Sequence, residues 1–151
     1  MKEVIFILSS LCDPHYRKRV EEFVENGYNV KVYGYKRIGQ NLQSFPCQVV
    51  VLGEISNRGY MSRLSFFNKS IKAIAKECAG HLCFYSSLDI ALFAKIHIKS
   101  DYIYEVCDLT ELVVGNKFVK ALLLRLNINI IKKSKLTIFT SEGFFDFYNK
   151  I

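Results

Sequence analysis

Nowhere in these 151 residues do about 18 apolar residues run without interruption, so no segment reads as a bilayer-spanning helix. No secretory leader is legible either. In "MKEVIFILSSLC" Glu3 breaks the basic start, the apolar run is short and no small-residue cleavage site follows, so the segment reads as a buried first strand. Internal repeats, low-complexity tracts and Pro/Gly/Ser-rich linkers are absent, which predicts one domain over residues 1–151. The five cysteines (Cys12, Cys47, Cys78, Cys83, Cys107) contain no CxxC pair, and the nearest two are separated by four residues. That spacing indicates neither a zinc site nor a disulfide framework, and reduced thiols in a cytoplasmic protein are expected. No G-x-G-x-x-G follows the first apolar run and no G-x-x-x-x-G-K-[ST] occurs, which removes the usual dinucleotide and P-loop enzymes. No Ser-His-Asp or metal-ligand constellation is legible, so no metal is assigned.

What is present is apolar, aromatic and basic. Half of the residues are hydrophobic, twelve are Phe and nine Tyr, enough for one sizeable core. Short β-rich runs alternate with helical patterns. "EVIFIL" (3–8) is nearly all apolar, as a strand covered on both faces of a parallel sheet would be. From Pro14 to about Asn26 the residues Tyr16, Val20, Phe23 and Val24 recur at helical spacing, with Gly27 as the stop. Strands are predicted over 28–35, 48–53, 81–86, 101–109 and 135–141, and helices over 60–77, 87–98 and 116–132. This alternation implies right-handed βαβ crossovers and an α/β, Rossmann-like open parallel sheet with helices on both faces. Ligands of such sheets sit beyond the carboxyl ends of the strands, so the segments to weigh are 9–13, 53–59, 85–89, 105–111 and 141–142.

The first of these poses a problem of charge. Asp13 and Pro14 are a good helix start, yet His15, Arg17, Lys18 and Arg19 crowd an end that favours anions. Surface pairs Arg17–Glu21 and Lys18–Glu22 account for part of it; an anion held by the Ser9–Asp13 loop accounts for the rest equally well. Asp89 falls at a predicted helix start, where it complements the dipole. Asp108 and Glu111 follow the fifth strand as loop acids. Glu105 lies inside an apolar strand and needs a partner if ionised.

The net charge is +7. Much of the basic charge lies in two acid-free stretches: Arg58, Arg63, Lys69, Lys72 and Lys76, then Lys117, Lys120, Arg125, Lys132, Lys133 and Lys135. Both are also apolar, so they read either as solvated helix faces or as a basic amphipathic surface for anionic lipid. Nucleic acid is not expected, because no aromatic-basic RNA motif or helix-turn-helix pattern accompanies the charge.

Three stretches resemble a known family. "DPHYRKRVEEFVENGYNVKVYGYKR" resembles the D-x-R-x-x-K-x-A-x-x-L-x-x-x-G-x-x-V-x-V segment that opens the N-terminal half of family-4 glycosyltransferases with the GT-B fold. "CFYSSLDIALFAKIHIKSDYIYEVCDLTEL" looks like that half's later strand, short helix and "Y-D-x-H-D-L"; "KLTIFTSEGFFDFY" is similar to its final strand and Ser-started helix. The resemblance implies one half of a GT-B fold, binding a sugar or lipid-linked acceptor and facing a C-terminal donor domain. A nucleotide-sugar would be co-substrate, with no bound cofactor, in cell-surface polysaccharide or glycolipid synthesis at the inner membrane face. It further implies that Ser9, Ser10, Asp13, His15 and Arg17 line the donor-phosphate side. Asp89, Glu105, Cys107, Asp108, Ser141 and Glu142 would then line the acceptor side. Two departures stand out: Ser9 and Ser10 replace the first loop's glycines, and Cys107 replaces a histidine. Without a donor domain, the expectation is a fragment of a longer enzyme, inactive alone. The alternative is a stand-alone Rossmann-like module that binds a nucleotide or a protein without catalysis.

Overall fold

A computed structural model describes residues 3–56, 60–108 and 116–150, apart from the side chains of residues 60 and 61. Six strands form one parallel sheet in the order β3-β2-β1-β4-β5-β6: β1 (Glu3–Leu8), β2 (Asn29–Arg37), β3 (Gln48–Ile55), β4 (Leu82–Tyr85), β5 (Tyr102–Val106) and β6 (Leu136–Phe139). The helices are α1 (Pro14–Glu25), α2 (Tyr60–Cys78), α3 (Leu88–His97), α4 (Lys117–Lys133) and α5 (Glu142–Asn149). This is the doubly wound α/β architecture expected from the alternation of patterns.

The central strand shows why. In β1, Val4, Phe6 and Leu8 point to the α1 side while Ile5 and Ile7 point to the opposite one, and all five are buried. Coverage of the two faces is uneven. Among the described helices only α1 packs its buried Tyr16 and Val20 on the first face. The second face receives Phe67, Ile71 and Ile74 of α2, Ile90, Ala91 and Ala94 of α3, Ile130 of α4, and the part-buried Phe144 and Tyr148 of α5.

Two bounds differ from expectation for one physical reason. Both β2 and β3 run two residues past their predicted ends, because Gly53 does not stop β3. It is extended through φ +148, a conformation that L side chains rarely adopt, and the Phe66 ring lies 2.5 Å from where a Cβ would sit. The pairing with β2 shifts register beside it, between Gly34 and Tyr35. The predicted loop acid Glu111 and the cation Arg58 lie outside the described residues.

Candidate functional site at the carboxyl edge of the sheet

At the carboxyl edge, β1 runs on toward α1 on one face and β4 toward α3 on the other, which makes the β1/β4 boundary the topological switch point. The two chain segments are tied together there. Ser9 N–H donates to Ser86 Oγ at 2.8 Å, and the Tyr16 hydroxyl donates to the Ser86 carbonyl at 3.1 Å. Burial, reinforced by the charges of nearby acidic groups, pushes the Tyr16 phenol well above its ordinary range, so it acts there as a hydrogen-bond donor.

The cations crowding the start of α1 have identifiable destinations. Asp13 caps the helix, its Oδ1 accepting from His15 N–H at 2.9 Å. Arg17 pairs with Glu21 on the exposed face, as the spacing predicts. The expected Lys18–Glu22 pair is replaced by Arg19–Glu22, because Arg19 turns toward the sheet. There its Nε and Nη2 donate to a single oxygen, Oε1 of Glu105, at 3.1 and 2.9 Å. His15 Nε2 lies 3.2 Å from the same oxygen. Glu105 is 0% exposed, and these two basic residues are the partners its burial requires. Oε2, also buried, accepts no hydrogen bond. Cys107 lies alongside, with Sγ 4.0 Å from His15 Nε2; burial first, then the Glu105 charge, pushes its thiol up to about 12.

A cavity of about 610 Å³ opens at this edge, within the range of small-molecule sites. One wall is apolar, built by Leu64 and Phe67 of α2, Leu92 and Phe93 of α3, and Leu123 and Leu126 of α4. The polar part of the lining includes Ser9, Ser86, Ser87, Asp89, Glu105 and Asp108, with Arg37 and Arg63. Asp89 sits in the first turn of α3 and accepts from Ser87 Oγ and Ile90 N–H. Hydroxyl-rich ligands suit such a lining: carboxylates accept from hydroxyls while apolar side chains pack on ring C–H faces.

Of the sequence-selected residues, the cavity thus gathers Ser9, Asp89, Glu105, Cys107 and Asp108. Ser10 is buried and its hydroxyl accepts from Cys12 N–H, shaping the loop. Asp13 and Arg17 serve α1 as described, and His15 joins Glu105 beside the cavity. Ser141 caps α5 by accepting from Phe144 N–H, and neither it nor Glu142 is among the cavity-lining residues. Residues given no site role from sequence are Tyr16, Arg19, Arg37, Arg63, Ser86 and Ser87, although Arg19 was among the crowded cations, Arg63 in a basic stretch and the two serines in the segment 85–89. A signal existed for the serines, since a Ser-Ser pair follows β4 as it follows β1.

No protein-family model matches the chain, and no curated protein matches it in sequence. A solved structure does match in shape: a sucrose-phosphate synthase from Thermosynechococcus elongatus superimposes with a TM-score of 0.61 over 91% of this chain and 76% of that one, at 15% identity. At that identity the likeness concerns the fold, and the chain has a glycosyltransferase-like, Rossmann-type α/β fold.

Proposed function

We propose that the chain is the acceptor-binding half of a nucleotide-sugar-dependent glycosyltransferase of the family-4, GT-B type, acting in cell-surface polysaccharide or glycolipid assembly at the cytoplasmic membrane face. The observation that carries this reading is the carboxyl-edge cavity, lined by Asp89, Asp108 and an apolar wall at the switch point of a glycosyltransferase-like fold. Asp89 and Asp108 would receive acceptor hydroxyls. Arg37 and Arg63 supply positive charge for the phosphates of a donor or a lipid-linked acceptor. A donor domain across the cleft would complete the enzyme, with the nucleotide-sugar as co-substrate.

Calorimetry of the chain with UDP, GDP, octyl glucoside, methyl glycosides and lipid-diphosphate-linked sugars tests the proposal. The expected result is binding of an acceptor-type sugar, weakened at least about tenfold, or 1.4 kcal/mol, in Asp89→Asn, with free nucleotides binding weakly or not at all. Micromolar affinity for UDP or GDP, about −8 kcal/mol, without sugar binding would instead favour a nucleotide-binding module without catalysis.

A further inference from the structure

We propose that His15, Glu105 and Cys107 form a binding site for a transition-metal dication of the zinc class. Their nitrogen, oxygen and sulfur donors come from the first turn of α1, the interior of β5 and the residue just past its end, and all lie within 4.8 Å of one another. Zinc holds N and O ligands at about 2.0–2.2 Å and S at about 2.3 Å, so donor atoms around one tetrahedral ion are about 3.3–3.8 Å apart. The 3.2 Å from His15 Nε2 to Glu105 Oε1 and the 4.0 Å from His15 Nε2 to Cys107 Sγ bracket that spacing, and small side-chain rotations close the difference.

An ordinary buried ion pair does not account for the arrangement. A guanidinium satisfies a carboxylate best by donating to both oxygens. Arg19 instead gives both of its donors to Oε1, and His15 points to that oxygen as well. Oε2 is buried and accepts from no nitrogen or hydroxyl donor, and the neighbouring Cys107 thiol offers at most a weak one. An ion held between His15, Cys107 and the Glu105 carboxylate gives that carboxylate a further partner, while Arg19 becomes the outer hydrogen bond that orients it. The donor set also selects the ion: sulfur and imidazole favour zinc or cobalt over magnesium or calcium, which take oxygen ligands. Three protein ligands leave one position for water or a ligand atom. Binding displaces the Cys107 thiol proton and requires His15 Nε2 without its proton, so affinity rises with pH and protons are released.

The full chain, reduced and stripped of metal, is titrated with Co²⁺ and followed by absorption, then with Zn²⁺ by calorimetry at pH 7 and 8. The expected result is one Co²⁺ per chain with a thiolate-to-cobalt charge-transfer band, tighter Zn²⁺ binding at pH 8, loss of the band in Cys107→Ser, and at least about tenfold weaker binding in His15→Ala. A Cys78→Ser/Cys83→Ser control keeps the band. Because Glu105→Gln alters a buried ion network and can fail to fold, Cys107→Ser carries the test. No charge-transfer band in the parent chain, or a band that survives Cys107→Ser, overturns the proposal.

Discussion

Successive residues of β5 face opposite sides of the sheet, and the two sides solve the burial of polar groups differently. Toward α4 and α5, the Tyr104 hydroxyl donates to Asn127 Oδ1 at 2.9 Å, and Asn127 Nδ2 donates to the Tyr148 hydroxyl. That network is neutral, joins three elements and places a buried Asn where it has partners on both ends. Toward α1, the Glu105 carboxyl is crowded by two basic groups on one oxygen, while the other accepts from no nitrogen or hydroxyl donor. A satisfied network gives up its polarity to the fold. An incompletely satisfied one retains electrostatic potential for something else to use, which is why the proposed metal site falls on the Glu105 side.

The largest effect expected from breaking this contrast is in Arg19→Met, which leaves Glu105 buried with His15 alone and should cost about 3 kcal/mol in urea unfolding at pH 7. The double variant Arg19→Met/Glu105→Leu should recover most of that, since removing both charges ends the desolvation penalty. Next comes Asn127→Leu, which strips partners from the Tyr104 and Tyr148 hydroxyls, at about 1–2 kcal/mol. It should leave cobalt binding at the His15 cluster unchanged, and a shifted cobalt spectrum would mean the two sides are not separable.

Alkaline pH should act more gently. Burial raises the Cys47 thiol to about 11, the Cys107 thiol to about 12 and the Tyr35 phenol to about 12, from ordinary values of 9.0 and 10.0. Groups whose folded pKa lies above the unfolded one contribute stability that is whole below pH 9 and is lost as pH climbs toward 11–12. The urea midpoint should therefore fall across that window, less steeply in Cys107→Ser; a flat profile in the parent chain would contradict the burial of these groups.

The smallest effect on stability is expected at the α4 surface, where Phe118 is 88% exposed. Phe118→Ser should change stability by less than about 0.5 kcal/mol. If α4 and the exposed lysines of α2 rest on anionic lipid, the chain co-sediments with anionic vesicles at low salt. It should not do so with neutral ones, and 1 M salt, with a Debye length of about 3 Å, should release it. Phe118→Ser should weaken that attachment.

Most of the fold was legible because periodicity is local: β1 reads as a doubly covered strand from six consecutive residues, and Asp13, Pro14 and Gly27 bracket α1 as their chemistry requires. The end of β3 was not, because Gly53 serves there to admit the Phe66 ring, and that contact is invisible before the chain folds. The overlong β2 also hid Arg37, which lines the cavity from beyond the predicted strand end. Glu105 announced its need for a partner, an acid within an apolar strand, but the partner lies 86 residues away in Arg19, a separation no spacing rule bridges. The resemblance assigns His15 to the donor-phosphate side and Glu105 to the acceptor side, and in the fold the two lie 3.2 Å apart.

The central claim is that the cavity beside Glu105 is the ligand site, and mapping backbone amide shifts by NMR during titration with octyl glucoside below its micelle concentration tests it most directly. That probe has hydroxyls for the carboxylates and a chain for the apolar wall. The account predicts shifts clustered at Ser9, Ser86, Asp89 and Glu105. A second cavity, of about 220 Å³, lies at the opposite edge and is lined by Glu3, Val24, Tyr28 and Cys47. Shifts confined to those residues, or none at the carboxyl edge, would contradict it.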